Sequence, residues 1–564
     1  MPTVGKKQAP FWSVDCESDP FAYGRIPEPF LWGVYDGGSG AYWEFETVPE
    51  VVAHLRAHDV LAYAHNGGKF DWHFLSAFFE PEQPLLVING RLARFKIGRC
   101  EFRDSYTLMP IALKQYQKTD IEYWKLEKVC RHQHMDEIRA YLKSDCVNLW
   151  NLVNGFEQEF GRHLTQASAA MRIWQRRSKR RAPRSGVAHY EQFKPFYYGG
   201  RVQCFQAGDF NVKAESVDIR SAYPAAMLHP HPISLDFLQG TGEPDFHPIE
   251  YGPCFFSIRC IARGAFPYRA LNKMLYFPSD DVERIYHVTG WELQAALETN
   301  TVENLEILSW TRFNECIDFK DYVEYFWNER KKAKAAGDKG RDHYCKIFLN
   351  GLYGKFAADP REYNDYVLRP VSDLASVVEN SQDFSFFREW LLVINQAKKE
   401  RYYFYNIATA ASITGLVRAN LWRAILKTDT PFYCDTDSVT GLGFKNLDMG
   451  DELGQFGLEG QYDRVIVCGK KLYAFHKVGR PWEDSLEIGQ KNWKKATKGA
   501  RLTAQELATI AGGQDVEFRP EVPTFSVRTN QPRFTKRVLR ITAADVTKVP
   551  IQFDPMFATA GIVE

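Results

Sequence analysis

Two aspartates one residue apart, Asp435 and Asp437, stand at the tip of an apolar run over residues 432–439 and constrain the fold more than any other feature. The residues before them are aromatic, and those after them are β-branched and end in glycines, which predicts a β-hairpin with both acids at its turn. Side chains alternate along a strand, so the two acids face one side, where like charges raise each other's pKa unless a cation lies beside them. Hard divalent ions such as Mg²⁺ prefer oxygen ligands of this kind. The hairpin is therefore a candidate metal site, and the alternative is a surface turn, in which Asp-x-Asp is also common.

Four further acids and a tyrosine lie on three predicted elements within the first 150 residues. Two strands, over 11–17 and 60–64, and a helix over 136–150 carry them. The set is Asp15 and Glu17 on the first strand, Asp71 after the second, and Tyr141 and Asp145 on one face of the helix. Together they predict a two-metal nuclease, in which one ion activates water and the second supports the leaving oxygen. Each piece alone also occurs on solvated faces, which is the alternative.

The sequence Tyr-Cys-Asp-Thr-Asp-Ser around Asp435 and Asp437 resembles the Tyr-x-Asp-Thr-Asp-Ser palm motif of family B DNA polymerases. The stretch Asp-Ile-Arg-Ser-Ala-Tyr-Pro that begins at Asp218 resembles the family's Asp-x-x-Ser-Leu-Tyr-Pro. The resemblance implies that these three aspartates hold two metal ions for nucleotidyl transfer, with the backbone of Ile219 as a further ligand. One ion would lower the pKa of the primer hydroxyl and the other would hold the triphosphate. It also implies that Tyr223 packs against the incoming sugar.

The N-terminal acids follow the order of the three motifs of the 3′–5′ proofreading exonuclease in the same family. Asp15 and Glu17 match Asp-x-Glu, Asn66, Phe70 and Asp71 match Asn…Phe-Asp, and Tyr141 and Asp145 match Tyr-x-x-x-Asp. The resemblance implies metal ions at Asp15, Glu17 and Asp145, and a DNA contact at Asn66 and Phe70. Lys118 stands where relatives keep a lysine for the exonuclease transition state, and the alternative is a loop lysine.

Residues 321–354 predict a helical hairpin with a break at 335–340. Its second arm brings Lys346, Asn350 and Tyr353 onto one face, and a cation, an amide and a ring suit a triphosphate and a base. The arm resembles the family's Lys-x-x-x-Asn-Ser-x-Tyr-Gly, with a glycine in place of the serine. Lys334 on the first arm is a further candidate for the phosphates, and the alternative is a solvated helix face.

Further short matches imply contacts with DNA. They are Ser105 at the frayed primer end, Tyr197, Gly199 and Gly200 of the Tyr-x-Gly-Gly segment at the template, Thr414 and Arg418 at the primer-template, and Lys471 and Tyr473 of Lys-x-Tyr, predicted on a strand that faces the primer backbone. Seven cations between residues 172 and 184 also predict a phosphate track between the two active sites, unless they are a solvated helix end.

Two spans, about 229–320 and 357–400, exceed ordinary connections and are predicted to be inserted units. Insertions at these points resemble the protein-primed branch of family B, which implies a terminal protein that supplies the first hydroxyl. The expected fold is a mixed α/β and α+β multidomain chain, with an RNase H-like exonuclease domain followed by a right-hand polymerase with two insertions. The predicted segments are 1–188 exonuclease, 189–228 first part of the palm, 229–320 first insertion, 321–356 fingers, 357–400 second insertion, 401–500 second part of the palm and 501–564 thumb.

Length and composition agree with this layout. A chain of 564 residues is too long for a single core, and its net charge of +1 allows acids at metal sites to balance bases along grooves. Eleven cysteines without a Cys-x-x-Cys pair predict neither a zinc site nor a disulfide framework, and the N-terminus lacks an apolar signal core. We therefore expect a cytoplasmic monomer that does not bind membranes.

The predicted ligands are a DNA template-primer, dNTPs and two Mg²⁺ ions per active site, which Mn²⁺ can replace, with a terminal protein as partner. One alternative is a family B polymerase that starts from an oligonucleotide or without a primer. An alternative of another class is a nucleic-acid-binding scaffold without chemistry. A scaffold has no need to hold Asp218, Asp435 and Asp437 together, which argues against it.

Overall fold

The computed structural model describes residues 9–21, 24–111, 113, 120–271, 274–362, 364–395, 404–484, 489–520, 523–534 and 536–540. Strands and helices are numbered in chain order. The predicted exonuclease lysine, Lys118, lies outside the described residues.

A ten-stranded sheet carries the first acid set, in the strand order β20-β21-β19-β5-β6-β7-β4-β1-β2-β3. Its strands are β1 Phe11–Ser18, β2 Pro29–Asp36, β3 Ala41–Phe45, β4 Leu61–Ala64, β5 Pro84–Ile88, β6 Arg91–Ile97, β7 Cys100–Asp104, β19 Asn364–Pro370, β20 Phe384–Phe387 and β21 Trp390–Ile394. The predicted strands at 11–17 and 60–64 are confirmed as β1 and β4, which pair in parallel. Because β19 pairs with β5, residues assigned to the second insertion extend the sheet of the N-terminal unit.

A central sheet carries the second acid set, in the order β26-β25-β24-β10-β23-β22-β8, with β9 beside β24. Its strands are β8 Val202–Cys204, β9 Gly208–Phe210, β10 Ala214–Ile219, β22 Thr428–Asp435, β23 Ser438–Phe444, β24 Phe456–Gly469, β25 Leu472–Lys477 and β26 Trp493–Thr497. The predicted hairpin is confirmed as β22 and β23, which pair antiparallel with Asp435 opposite Ser438. The strand that ends at Asp218 and Ile219, β10, lies between β23 and β24.

Residues of the first predicted insertion form a four-stranded antiparallel sheet, in the order β12-β17-β13-β16. Its strands are β12 Phe237–Thr241, β13 Phe255–Ala262, β16 Arg284–Thr289 and β17 Val302–Phe313. Three strand pairs complete the described sheets: β11 His231–Pro232 with β18 Cys316–Ile317, β14 Tyr268–Arg269 with β15 Leu275–Tyr276, and β27 Val516–Phe518 with β28 Arg537–Leu539.

The described α-helices are α1 Val48–Arg56, α2 Met135–Phe160, α3 Gln166–Ser178, α4 Val187–Phe193, α5 Ala222–Ala226, α6 Gly290–Glu298, α7 Lys320–Ala335, α8 Lys339–Phe356, α9 Leu374–Glu379, α10 Ile407–Leu426, α11 Gly489–Asn492 and α12 Ala504–Ala511. The predicted helix over 136–150 is confirmed but runs on to Phe160, where Gly161, with φ at 82°, ends it. The predicted helical hairpin is confirmed as α7 and α8. None of the described helices has both the length and the apolarity that crossing a membrane requires.

Helix α10 is buried along nearly its whole length. Of its residues, Asn420, Arg423 and Leu426 alone are not buried. A helix that is buried on nearly all sides must be covered by other elements, and α10 packs against α6, α8 and the central sheet. One buried helix thereby joins the central sheet to the first predicted insertion.

Candidate functional site

The hairpin turn that carries Asp435 and Asp437 is fixed by backbone hydrogen bonds. Thr436, between them, has a left-handed φ of 63°, and its N–H donates to the carbonyl of Arg201 at 2.7 Å. The N–H of Asp437 donates to the carbonyl of Asp435 at 2.7 Å. The turn therefore depends on the neighbouring strand β8 as well as on its own sequence, because Arg201 directly precedes that strand.

Asp218 is brought to this turn by strand pairing. Its Cα is opposite that of Ser438, and the N–H of Ile219 donates to the carbonyl of Asp437 at 2.8 Å. Burial raises the pKa of Asp437 to about 6, and the charges of Asp218 and Asp435 add to that rise. The structure thus brings the three predicted aspartates together in a partly buried site where they repel one another.

Three charged side chains surround the aspartates, and two of them, Glu459 and Lys494, were missed by sequence reasoning. Lys471 Nζ lies 2.5 Å from Asp435 Oδ2. Burial raises the pKa of Asp218, and the charge of Glu459 on β24 raises it further. Lys494 Nζ lies 2.5 Å from the carboxylate of Glu459. No motif marks Glu459, and it becomes visible only through the pairing of β24 with β10.

The predicted position of Lys471 on a strand is wrong. The residue lies in the turn before β25 with a left-handed φ of 56°, and its N–H donates to the hydroxyl of Tyr433. The turn therefore directs the ammonium of Lys471 towards Asp435. Tyr473 is buried, with its ring centroid 4.8 Å from that of Tyr433 and 4.4 Å from that of Phe475. Its ring packs against Tyr433 of the hairpin. A contact of this buried ring with DNA stays a prediction.

Two of the predicted nucleotide-binding residues meet at the junction of α5 and α8, and the others lie on α7 and α8. The rings of Tyr223 and Tyr353 stack with centroids 4.2 Å apart and 11° between their planes. Asn350 and Lys346 are exposed on the same helix face, and the Asn350 amide donates to the Lys346 carbonyl at 3.0 Å. Lys334 on α7 is exposed and has no carboxylate partner among the described residues. Stacked rings and exposed cations therefore lie on α5, α7 and α8, and these are residue types that suit a base and a charged tail.

The Tyr-x-Gly-Gly segment touches the aspartate turn. A Cβ added to Gly200 would lie 2.7 Å from the side chain of Thr436, whereas one added to Gly199 would meet nothing within 4 Å. Tyr197 is half-buried beside them. The second glycine is therefore required by the close approach of the segment to the turn.

Replacing Gly200 by alanine should reduce the DNA synthesis that the family resemblance implies more strongly than replacing Gly199. The new methyl must displace the β-branched side chain of Thr436, and with it the turn between Asp435 and Asp437. We expect a loss on the order of 10²-fold in primer extension, the size of effect that a displacement of about 1 Å produces. Steady-state extension assays on both variants test this, and equal losses would contradict the steric explanation.

Thr414 and Arg418 do not reach the surface in this structure. Thr414 is 1% exposed and Arg418 is 2% exposed. The Arg418 guanidinium lies 2.7 Å from the carboxylate of Glu292 and donates to the carbonyls of Tyr198 and Gly199 at 2.9 and 3.0 Å. Both side chains are buried with their polar atoms engaged inside the protein, so their contact with DNA stays a prediction. Arg418 instead positions the backbone of the Tyr-x-Gly-Gly segment.

The first acid set converges across β1, the turn after β4 and α2. Burial raises the pKa of Asp15 well above its ordinary range, and the charges of Asp71, Asp145 and Glu17 raise it further. Burial, followed by Asp145 and Asp71, raises the pKa of Glu17 to about 8. Burial also raises the pKa of Asp71 to about 6, although the Cys16 thiol donates to its Oδ1 at 3.2 Å.

Tyr141 belongs to the same cluster, because burial and then the charge of Asp145 raise the pKa of its hydroxyl. The structure therefore brings together all four predicted acids and the tyrosine on one side of the ten-stranded sheet.

The predicted single-strand contacts divide into exposed and buried residues. Asn66 is exposed and accepts from Arg91 at 2.7 Å, and Phe70 is half-buried. Ser105 is fully buried, and its hydroxyl donates to the carbonyl of Ala64 at 3.1 Å. Ser105 therefore supports the strand ends, whereas Asn66 and Phe70 remain accessible.

A cavity of about 940 Å³, which we call the channel, lies between the N-terminal unit and the Tyr-x-Gly-Gly segment and is lined by residues of both. The N-terminal unit contributes Lys69, Arg91 and Tyr106 to its lining, and the remainder of the chain contributes Lys194, Tyr197 and Arg269. Cations and aromatic rings on both walls suit a nucleic acid strand, since they can contact phosphates and stack on bases.

The donor atoms at both acid sites fit hard divalent ions. Every candidate ligand is a carboxylate oxygen or a backbone carbonyl, and the mutual rise of the carboxyl pKa values is the repulsion that a cation removes. Within the described residues no three His, Cys, Asp or Glu side chains already form a closed metal-binding group. Lys471 holds one of the palm carboxylates instead, so ion binding there requires this lysine to move away from Asp435.

Comparisons with known proteins give a consistent result. A family model described as DNA polymerase type B, organellar and viral, matches residues 113–421. The DNA-directed DNA polymerase of Enterobacteria phage PRD1 is 31% identical over 577 residues, covering 96% of this chain and 100% of that protein. A DNA polymerase of Kluyveromyces lactis is 22% identical, covering 84% of this chain and 56% of that protein.

Solved structures share the fold. Phi29 DNA polymerase in an orthorhombic crystal form has a TM-score of 0.71, and the same polymerase with primer-template DNA and incoming nucleotides has a TM-score of 0.70. In both cases the identity is 17%, and the match covers 95% of this chain and 100% of that chain.

Proposed function

Since the chain belongs to the organellar and viral type B DNA polymerases, we propose that it extends DNA at Asp218, Asp435 and Asp437 and removes nucleotides at a separate site around Asp15 and Glu17. The observation that carries the proposal is the meeting of the three aspartates at the ends of β10 and β22, where burial and then the charges of Asp218 and Asp435 raise the pKa of Asp437. A family B DNA polymerase accounts for such a costly arrangement, and a scaffold without chemistry does not.

At the polymerase site, Asp218, Asp437 and the backbone of Ile219 would hold the ions, with Asp435 joining them once Lys471 moves. Two divalent ions, Mg²⁺ in our proposal with Mn²⁺ as a substitute, supply charge stabilisation for in-line displacement. Tyr223 and Tyr353 offer stacked rings next to the sugar and base, and Lys346 and Lys334 offer charge for the triphosphate. The chain's own part is to bind, orient and shield these groups.

At the exonuclease site, Asp15, Glu17 and Asp145 are the proposed ion ligands, and Asp71 and Tyr141 complete the cluster. The four acids lie on three separate elements, so the tertiary fold, and not their spacing in the sequence, brings them together. Asn66 and Phe70 remain accessible for a single-stranded primer end. Lys118 stays a prediction.

We also propose that synthesis starts on a terminal protein, as in a replicase of linear genomes. Support comes from the first predicted insertion, which forms its own four-stranded sheet, and from the second, whose strands extend the N-terminal sheet. The test is nucleotide transfer onto a co-purified protein, scored as a radiolabelled covalent adduct. Extension of an annealed oligonucleotide without any adduct would favour the oligonucleotide-primed alternative. The domain boundaries, the monomeric state and the cytoplasmic location stay predictions.

Addition of Mg²⁺ should stabilise the protein, and more so as the pH rises. The pKa of Glu17 is raised from 4.5 to about 8 in the folded state, so folding takes up a proton between these values and stability falls as the pH rises through that window. A cation compensates the charge that appears. We expect the melting temperature to rise with Mg²⁺ at pH 8 and much less at pH 5, measured by calorimetry. The variant with Asp15→Asn and Glu17→Gln should lose the part of this shift that the exonuclease site contributes, and a full shift in that variant would contradict the assignment.

A further inference from the structure

We propose that a second cavity, formed by the C-terminal half of α3 and residues 179–184, binds the phosphate backbone of a single DNA strand, an inference that rests on the proposed function. This cavity, here called the basic groove, measures about 1200 Å³. Seven lysine and arginine side chains line it, and within the described residues no carboxylate does. Its aromatic lining is limited to Phe160 and Tyr405, so phosphates, and not base sequence, would be recognised.

Four of the seven cations in the basic groove have no carboxylate partner among the residues that the structure describes. Arg162 pairs with Glu157 at 2.6 Å and Arg180 pairs with Glu315 at 2.5 Å. The remaining cations include four exposed side chains without a carboxylate at salt-bridge distance in the described part of the chain, namely Arg172, Arg176, Lys179 and Arg181. Solvent-exposed cations are ordinary singly, but four of them around one concave surface create a positive potential.

These cations repel one another, and a bound polyanion would remove that repulsion. Arg172 and Arg176 stand four residues apart on α3, where like charges destabilise a helix. Burial lowers the pKa of His163, and the charges of the same two arginines lower it further. A helix C-terminus favours cations in its last turn, which explains Arg176 but not Arg172 before it or Arg181 beyond it.

Helix α3 connects the basic groove to the channel. Gln166 and Ala167 at its start line the channel, and Arg172, Gln175 and Arg176 further along line the groove. Thirteen residues span about 20 Å at 1.5 Å each, so a strand that leaves the channel beside α3 reaches the groove within a few nucleotides. This continuity identifies the occupant as a strand of the bound template.

The test is equilibrium binding of the full chain, without metal ions, to primer-templates whose template overhang grows from two to fifteen nucleotides. The wild type should gain affinity as the overhang lengthens. The double variant Arg172→Gln, Arg176→Gln should lose about 20-fold in affinity for the long overhang at 0.1 M salt, and its salt slope should fall by about 1.4, at about 0.7 per phosphate on a single strand. Its affinity for the short overhang should be unchanged.

A matched control is Lys96→Gln with Arg99→Gln, which removes two exposed cations of the ten-stranded sheet outside the groove. It should bind every substrate like the wild type. Wild-type affinity of the groove variant for the long overhang would overturn the proposal and would leave the groove to another ligand, such as an acidic protein. Equal weakening on all overhangs would also overturn it. Extension of the short-overhang primer-template by the wild-type protein is measured separately. Absence of that extension would count against the proposed function, whereas the binding results count only for or against the basic groove.

Discussion

Asp437→Ala should abolish Mg²⁺-dependent extension of a primer while leaving degradation of single-stranded DNA intact. The charges of Asp218 and Asp435 both raise the pKa of Asp437, in addition to burial, so Asp437 interacts with both other aspartates. Loss of a carboxylate that holds an ion removes several kcal/mol of charge stabilisation in the transition state, which corresponds to about 10³-fold or more in rate. Extension and degradation are measured on the same preparation. Asp429→Ala, on the same strand, is the control and should retain extension, because Asp429 pairs with Lys445 and not with the aspartate cluster.

The reverse separation is expected when Asp15 and Glu17 are both replaced by alanine. Degradation should stop and extension should continue, since these acids belong to the ten-stranded sheet and the polymerase acids belong to the central sheet. The pKa of Glu17 is raised to about 8, so removing these charges relieves repulsion and should raise the melting temperature at pH 8. A protein that keeps its fold but loses both activities after either change would contradict the two-site proposal.

Local sequence patterns predicted the elements that carry the acids. The alternation around Asp15 and around Asp435 gave β1, β22 and β23, and the glycine at 161 explains why α2 ends where it does. These features depend on residues close in sequence, and short motifs describe them well.

Features that arise from distant pairing were not predictable from one sequence. Glu459 joins the aspartate cluster through the pairing of β24 with β10, more than 200 residues away along the chain. Strand β19 adds to the N-terminal sheet through β5, although its sequence gives no sign of that partner. Lys471 resembles a strand residue, but its N–H donates to the hydroxyl of Tyr433 on β22, and its ammonium pairs with Asp435. In each case tertiary contact decided the role of the residue, and propensity or motif did not.

Burial reversed the interpretation of Arg418, because a cation in a motif of a nucleic-acid enzyme is expected at the surface. The structure buries its guanidinium against Glu292 of α6, which belongs to the first predicted insertion. Gly415, one turn earlier, permits this approach, since a Cβ there would lie 2.2 Å from the hydroxyl of Thr289. The ion pair therefore fastens the insertion to α10, and through the carbonyls of Tyr198 and Gly199 it reaches the segment beside the aspartate turn.

Replacing Glu292 by glutamine should destabilise the protein by about 3–5 kcal/mol, because removal of one partner leaves the other charge buried and uncompensated. Glutamine keeps the shape and the capping hydrogen bond to Thr289, so the loss reports the charge. Glu298→Gln on the same helix is the control, since its partner Arg423 is 29% exposed and such pairs contribute about 0–1 kcal/mol. Denaturant unfolding of both variants measures the difference.

The same variant should lose extension beyond what unfolding explains, with degradation as the internal standard. Freed from Glu292, Arg418 no longer holds the carbonyls of Tyr198 and Gly199 in place, and Gly200 is in contact range of Thr436 in the aspartate turn. Assays are therefore run well below the melting temperature of the variant, where the folded fraction is complete. Replacing both partners, Glu292→Leu with Arg418→Met, should recover much of the stability, since apolar residues of similar volume often substitute for a buried ion pair. It should not recover extension, because methionine donates no hydrogen bond to the two carbonyls. Recovery of both properties would show that the pair only fills space between α6 and α10.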